Sequence, residues 1–358
     1  MIESRGAPSV TLPSALAAVS AAMGSVCPCA VLHVRHKGAI VCEAAFGQLA
    51  PDDAAATPNA IFDLASLTKI AIGTAMLALN DMRRLALDDP IATLFSSFAG
   101  RDARRERVTF RHLLAHTSGL PPSVNARGES SAERVIERVC ATPLINGPGE
   151  RVVYSDCGFI LLGEAISRLA GVPLPFALQK VVFDPLGISS CGYRPAAALA
   201  EHIVCTEREA WRGRLLRGEV HDETCWSMGG VAGHAGLFGT AADVATLAEL
   251  YRNTGSGNGR RVLLRSSALK AVREQANSDG ERRGLAWALK STDERPWGAS
   301  LSRASYGHTG YTGTSVFVDP ERAVTIVLLT NRVFSSRDPA PIADLRAKVN
   351  DAVIADLT

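Results

Sequence analysis

The spacing of apolar and polar residues along the chain predicts helices and strands in a definite order. Two short β-rich runs, at 30–35 and 40–46, are separated by Lys37 and Gly38, which predicts a hairpin. Residues 67–83 carry apolar side chains at helical spacing. The other predicted elements are helices at 14–23, 109–117, 131–141, 157–170, 241–252 and about 340–356, and strands at 314–318 and 323–330.

The predicted strands lie near both ends of the chain, and most of the predicted helices lie between them. This order indicates an α+β fold in which both terminal regions complete one sheet. We expect residues 1–75 and 285–358 to form the sheet domain, and residues 76–284 to form a mostly helical domain. The glycine-rich segment 205–240 is expected to be irregular and to line a cleft.

Composition excludes several classes of protein. Hydrophobic residues make up 47% and charged residues 21% of the 358 residues, which is a globular balance and neither disordered nor coiled-coil. The net charge is +2 and the basic cluster at 101–107 is interrupted by acidic residues, so we expect no nucleic-acid partner. No apolar run approaches the ~20 residues of a membrane span. The sequence makes no prediction of the oligomeric state.

Two further expectations concern the compartment and the cysteines. The N-terminus lacks a basic segment followed by a long apolar run, so we expect a cytoplasmic protein; removal of an upstream leader would instead make it periplasmic or secreted. The eight cysteines are scattered, and free buried thiols are expected. Cys27 and Cys29 lack a second matching pair, so no metal site is expected there.

The first chemical motif is Ser66-x-x-Lys69, at the start of the helix predicted for 67–83. The two side chains would lie on one helix face, about one turn apart. A serine hydroxyl needs a base to become a nucleophile, and a buried lysine with a lowered pKa can be that base. Chance matches to this pattern are common, and the alternative is a helix-capping serine with a surface lysine. The apolar neighbours of Lys69 favour burial.

Two other motifs lie far away in the sequence. Tyr154-Ser155-Asp156 precedes a predicted helix, where the tyrosine hydroxyl can point into a cleft; the alternative is a core tyrosine followed by a helix cap. His308-Thr309-Gly310-Tyr311 belongs to a glycine-rich run that leads into a strand. Such a backbone can approach a ligand closely and offer an N–H to an oxyanion, although a flexible loop is the alternative.

In this order and spacing, the three motifs resemble those of the serine β-lactamase and penicillin-binding-protein superfamily. The separations are similar to its class C branch, which includes carboxylesterases and D-amino-acid peptidases. Segments 116–120, 229–237 and 329–332 resemble that branch too, and the likeness covers roughly residues 15–355. It implies an antiparallel sheet domain packed against a helical domain, with the site in the cleft between them.

The resemblance also implies a mechanism that needs no metal or organic cofactor. Ser66 would attack a carbonyl and become acylated, while Lys69 and Tyr154 would share the proton transfers. The backbone N–H groups of Ser66 and Tyr311 would bind the oxyanion, and water would release the acyl group. The substrate would be a small-molecule ester, amide or peptide.

Two positions depart from the family pattern, which usually has asparagine at Asp156 and lysine at His308. Both changes make the site less positive, so it is less suited to the carboxylate of a penicillin. If Asp156 contacts Lys69, it keeps the lysine protonated and leaves Tyr154 as the working base. We therefore expect an esterase or D-amino-acid peptidase. A true β-lactamase or D,D-carboxypeptidase is one alternative, and a non-catalytic protein that binds peptidoglycan peptides is another.

Four other residues are candidates for the site. Arg332 and Arg337 follow the last predicted strand, where relatives place carboxylate-binding groups. His221 and His234 lack the spacing of zinc ligands, so we expect them to line the cleft.

Overall fold

A computed structural model describes residues 11–100, 102–129 and 131–358 of the chain. Its main sheet has eight antiparallel strands in the order β3-β4-β5-β6-β7-β8-β1-β2. The strands are β1 Cys29–His36, β2 Ala39–Gly47, β3 Ala276–Ser278, β4 Glu281–Arg283, β5 Ala288–Leu289, β6 Tyr306–Thr309, β7 Ser315–Asp319 and β8 Val324–Thr330.

Strands from the two ends of the chain pair in the middle of this sheet. Ala30 of β1 lies opposite Thr330 of β8, and the pairing continues to His36 opposite Val324. All seven residues of β8 are buried, because both faces of the sheet are covered. Successive residues of β8 therefore pack into two different hydrophobic cores.

One of those cores lies between the sheet and the two helices nearest the chain ends, and the other between the sheet and the remaining helices. The helices are α1 Pro13–Ala22, α2 Thr68–Asp81, α3 Phe110–Leu114, α4 Ala132–Ala141, α5 Asp156–Ala170, α6 Leu174–Leu178, α7 Asp184–Leu186, α8 Glu223–Ser227, α9 Ala241–Arg252, α10 Arg265–Ala271 and α11 Ala340–Leu357.

Helix α2 carries the first motif and lies in the centre of the molecule. Every residue from Thr68 to Leu79 is buried, so the helix has no polar face turned to water. It packs against α5, which begins at Asp156, two residues after Tyr154. The first two motifs are thus positioned by two buried helices that contact each other.

The α+β fold, with an antiparallel sheet completed by both terminal regions, is confirmed. The sheet also contains β3 and β4, which lie before the domain boundary that we expected at 285. The division into 1–75 with 285–358 and 76–284 stays a prediction. The segment 205–240 is mostly irregular, but it includes α8 and short strands at Arg208–Glu209, Arg214–Leu215 and Leu237–Gly239.

The structure also bears on the expectations for the cysteines and for membrane spans. All eight cysteines are free thiols, and six of them are buried. Among the described residues, no single helix is long and apolar enough to cross a membrane, although Asp156–Ala170 with Leu174–Leu186 would meet that test as one bent pair. The N-terminal residues 1–10 and residue 101 of the basic cluster lie outside the described residues.

Candidate active site

Ser66 lies in a single 3-10 turn, Ala65–Leu67, that leads directly into α2. The residue before it, Ala65, has a φ of 46°, a left-handed conformation that strains a residue with a β-carbon. The buried Asp63 carboxylate holds this turn, because it accepts the N–H of Ala65 at 2.8 Å and that of His221 at 2.7 Å. The serine is thereby fixed at the N-terminal end of α2, where backbone N–H groups are free.

Lys69 follows one turn later and has no exposed side-chain surface. Its Nζ lies 2.9 Å from Ser66 Oγ, 2.9 Å from the carbonyl oxygen of His234 and 2.8 Å from Asp156 Oδ1. Burial by itself lowers the pKa of this lysine, but the Asp156 carboxylate and Tyr154 outweigh burial, and the net pKa of Lys69 is raised. The direction of this shift keeps the side chain an ammonium at neutral pH.

Tyr154 lies two residues before Asp156, which is the first residue of α5. Ser155 caps the helix by accepting the N–H of Gly158. The Tyr154 ring lies 5.0 Å from Lys69 Nζ and stacks on the buried imidazole of His116 at 4.6 Å. The first two motifs therefore meet around one ammonium group.

His116 holds this arrangement from the end of α3. Its Nδ1 accepts the backbone N–H of Ser155 at 3.0 Å, so the ring is tied to the chain beside Tyr154. Burial lowers the pKa of His116 well below its usual value, and the charges of Arg283 and Lys69 lower it further. The ring is therefore neutral.

His308 lies on β6 and is also neutral. Its Nδ1 lies 2.9 Å from the carbonyl oxygen of Thr309, which can only accept, so Nδ1 carries the proton. Burial, followed by the nearby charges of Lys69 and Arg283, lowers the pKa of His308 to about 3. The ring cannot replace the cation that a lysine would provide at this position.

The loop after β6 is tied to the backbone that leads to Ser66. Thr312 Oγ1 donates to the carbonyl oxygen of Asp63 at 2.8 Å, and Thr314 Oγ1 donates to that of Leu64 at 3.1 Å. A β-carbon on Gly310 would lie 2.8 Å from the Leu64 oxygen and 2.1 Å from Thr314 Oγ1. Glycine is therefore required for the loop to approach Ser66 this closely.

Tyr311 follows in the same loop and faces the site with Ser66. Its N–H donates to no other group among the described residues. Its ring is stacked on His221 at 5.6 Å, and the Arg332 guanidinium lies 4.7 Å from the ring on which it packs. Arg332 also donates to the Tyr311 carbonyl oxygen at 2.9 Å, which fixes the loop.

Two cavities open beside Ser66 and share lining residues. The larger has a volume of ≈ 740 Å³, the smaller ≈ 320 Å³, and Ser66, Asp156 and Tyr311 line both. All the residues predicted for the site, apart from the buried Lys69, line the larger cavity: Ser66, Tyr154, Asp156, His308, Thr309, Gly310 and Tyr311.

The other candidates have different places. Arg332 lines the larger cavity and Arg337 lines the smaller one, where it is ion-paired with Glu207. His221 lies 2.5 Å from Glu207 and His234 lies 2.8 Å from Asp222, so both histidines pair with single carboxylates. No group of three metal-ligating side chains occurs among the described residues.

Arg283 lines the larger cavity and was not predicted for the site; Asp222, which lies in the segment expected to line the cleft, also lines this cavity but was given no role. Asp222 accepts the N–H of Cys225 and pairs with His234, whose carbonyl oxygen binds Lys69. Arg283 comes from β4, a three-residue strand in a charged run that has no apolar alternation. Neither residue belongs to a recognisable motif, and only the tertiary structure brings them to the site.

The geometry suits acyl transfer. A serine hydroxyl contacts a buried ammonium, a tyrosine lies beside that ammonium, and a free backbone N–H stands in the facing loop. These are the parts of a nucleophile, a proton acceptor and an oxyanion site.

Comparisons with known proteins agree with this geometry. The beta-lactamase family profile matches residues 16–351. A protein of Escherichia coli strain K12 named “Putative D-alanyl-D-alanine carboxypeptidase” is 32% identical over 324 residues, which cover 82% of this chain and 73% of the relative.

Solved structures share the fold. The hydrolase EstCE1, described as having promiscuous acyltransferase activity, superposes with a TM-score of 0.78 at 22% identity, covering 96% of this chain and 98% of EstCE1. A class C beta lactamase from Rhodobacter sphaeroides gives 0.77 at 19% identity, covering 96% and 99%. The resemblance carried by the three motifs is confirmed. The chain belongs to the beta-lactamase family, and it is a serine hydrolase of that family.

Proposed function

We propose that Ser66 is the nucleophile and that the substrate is a neutral ester or amide. The observation that carries the proposal is the buried Lys69 ammonium, which lies 2.9 Å from Ser66 Oγ and 2.8 Å from Asp156 Oδ1. The ammonium orients the serine but holds its own proton, because the pKa of Lys69 is raised by the Asp156 carboxylate against the opposing effect of burial. The base is then Tyr154.

The reaction proceeds through an acyl-enzyme. Ser66 Oγ bonds to the carbonyl carbon while its proton passes to Tyr154, which acts as the base. The negative oxygen is bound by the N–H groups of Ser66 and Tyr311. The leaving group departs with the proton from Tyr154, and water then attacks the acyl-enzyme in the same way to release the acid.

The charges around Ser66 favour a neutral substrate over one that carries a carboxylate. His308 is neutral, and Asp156 adds a negative charge to both cavities. A D,D-carboxypeptidase is a second candidate, because a curated relative carries that name and the guanidinium groups of Arg283 and Arg332 line the larger cavity. A cytoplasmic location stays a proposal, supported by eight free thiols.

Intact-mass spectrometry tests the proposal. The protein is mixed with a p-nitrophenyl ester or with a penicillin, and Ser66→Ala is run beside a variant of the exposed serine on α1, Ser20→Ala. We expect an acyl adduct and nitrophenol release from the wild type and from Ser20→Ala, none from Ser66→Ala, and slow reaction with the penicillin. Rapid penicillin turnover would contradict the substrate assignment, and an adduct on Ser66→Ala would contradict the nucleophile.

A further inference from the structure

The ring of Tyr154 is surrounded by two cations and two neutral imidazoles. Lys69 Nζ lies 5.0 Å from the ring centre and the Arg283 guanidinium carbon lies 5.4 Å from it. The imidazoles of His116 and His308 have their centres at 4.6 Å and 6.1 Å. Since both imidazoles are neutral, the positive charge at this ring comes from the lysine and the arginine.

Arg283 lies on β4, two strands away from β6, which carries His308. It lies opposite Ala288 of β5, which in turn lies opposite Gly307 of β6, the residue before His308. The Arg283 side chain is 11% exposed, and it forms an ion pair with Glu281. Its charge is therefore held in a largely buried place next to the third motif.

The positive charges of Lys69 and Arg283 are neutralised to different degrees by their carboxylate partners. Lys69 contacts Asp156, whose carboxylate is mostly withdrawn from water, so much of the ammonium's field at Tyr154 is cancelled. Glu281, the partner of Arg283, has 46% of its side chain exposed, and water screens its charge. More of the positive field of Arg283 therefore remains at the ring. Two further charged groups interact with this cluster: Arg346 lowers the pKa of His308, and the charge of Lys69 lowers the pKa of Asp222.

We propose that Arg283 is a positioning residue for the proton transfer at Ser66. Its guanidinium lies 5.4 Å from the centre of the Tyr154 ring and provides positive charge beside the side chain that acts as the base. A cation beside an aromatic ring is attracted by the quadrupole of the ring. The attraction becomes stronger when the ring carries a negative charge. This inference rests on the proposed role of Tyr154 as the base.

The pH dependence of kcat/KM for a p-nitrophenyl ester tests the inference, after the uncatalysed rate has been subtracted. In Arg283→Gln, we expect the pH of half-maximal activity to rise by about one unit or more, since one nearby opposite charge has an effect of that size. Activity near pH 7 then falls about tenfold and recovers at higher pH. Arg283→Lys keeps a charge there and should retain most of the wild-type profile.

A second variant should shift the pH of half-maximal activity in the opposite direction. Glu281→Gln removes the partner of Arg283 from a half-exposed position, so the pH of half-maximal activity should fall. Arg282→Gln is the matched control, because it removes an equal charge from the same strand at a residue that pairs with Glu274. Its profile should keep the wild-type midpoint.

The outcomes separate this inference from the proposed function. The role of Arg283 would be overturned if Arg283→Gln kept the pH of half-maximal activity of the wild type. It would also be overturned if the variant lost activity equally at every pH. If Arg283→Gln does not fold, an unmoved or raised midpoint in Glu281→Gln overturns it instead. Acylation of Ser66 by the ester in the same preparations shows that the proposed function still holds.

Discussion

At the level of single residues, protonation decides what the S-x-x-K motif can do. The motif places Lys69 beside Ser66, but the same spacing serves either a neutral base or an ammonium. The Asp156 carboxylate favours the ammonium, because it lies 2.8 Å from Lys69 Nζ and raises the pKa of that lysine. In the mechanism that we propose, one carboxylate thereby moves the role of base to Tyr154.

Asp156→Asn should change substrate preference. The carboxylate lines both cavities next to Ser66 and repels a substrate that carries a negative charge. We expect the acylation rate with a penicillin, relative to that with a neutral p-nitrophenyl ester, to rise about tenfold, the effect of roughly 1.4 kcal/mol. Stopped-flow acylation with both compounds measures this ratio. A ratio equal to that of the wild type would show that Asp156 does not disfavour anions.

The residues of the site could be predicted from sequence where a local motif carries them. Ser66, Tyr154 and His308 all belong to such motifs, and their convergence follows from the family's fold. The ion pair between Lys69 and Asp156 could be stated only as a condition, because it joins two helices. Arg283 could not be found, since its strand has three residues and shows no alternation of apolar and polar positions.

At the level of elements, the loop after β6 depends on one close approach of its backbone to Leu64.

Longer elements with clear periodicity could be predicted from the sequence, and α9 has the bounds that the sequence indicated. The strands β3, β4 and β5 have two or three residues each, which is too short for a period of two to appear. The approach of the loop to Leu64 is equally invisible in the sequence, because its contacts join residues that are far apart along the chain.

Gly310→Ala should impair catalysis more than folding. Its β-carbon would lie 2.8 Å from the Leu64 oxygen, so the loop must shift and carry the Tyr311 N–H with it. Loss of one oxyanion donor lowers kcat about a hundredfold or more. Gly192→Ala is a suitable control, because a β-carbon there meets nothing within 4 Å. Steady-state kinetics and thermal unfolding of both variants would decide, and near-wild-type kcat in Gly310→Ala would contradict this account.

At the level of the whole molecule, the site places uncharged histidines in the interior where sheet and helices meet. His116 and His308 are both buried, and each has a lowered pKa. In the unfolded chain the same side chains titrate near ~6.5. Below that pH the unfolded chain binds protons that the folded protein does not bind, so the free energy of unfolding falls as the pH falls.

The pH dependence of stability should therefore identify these histidines. Between pH 7 and pH 5 most carboxylates remain ionised, and each buried neutral histidine should lower the free energy of unfolding by about 2 kcal/mol. For His308 the decline continues to a pH of about 3, where the folded protein also takes up the proton. In His308→Asn the fall over this interval should be smaller by about 2 kcal/mol, whatever the variant's stability at pH 7, because the comparison uses the slope alone. Urea denaturation at pH 7, 6 and 5 gives both slopes; parallel slopes would mean that His308 is charged in the folded protein, and the substrate argument built on its neutrality would fail with it.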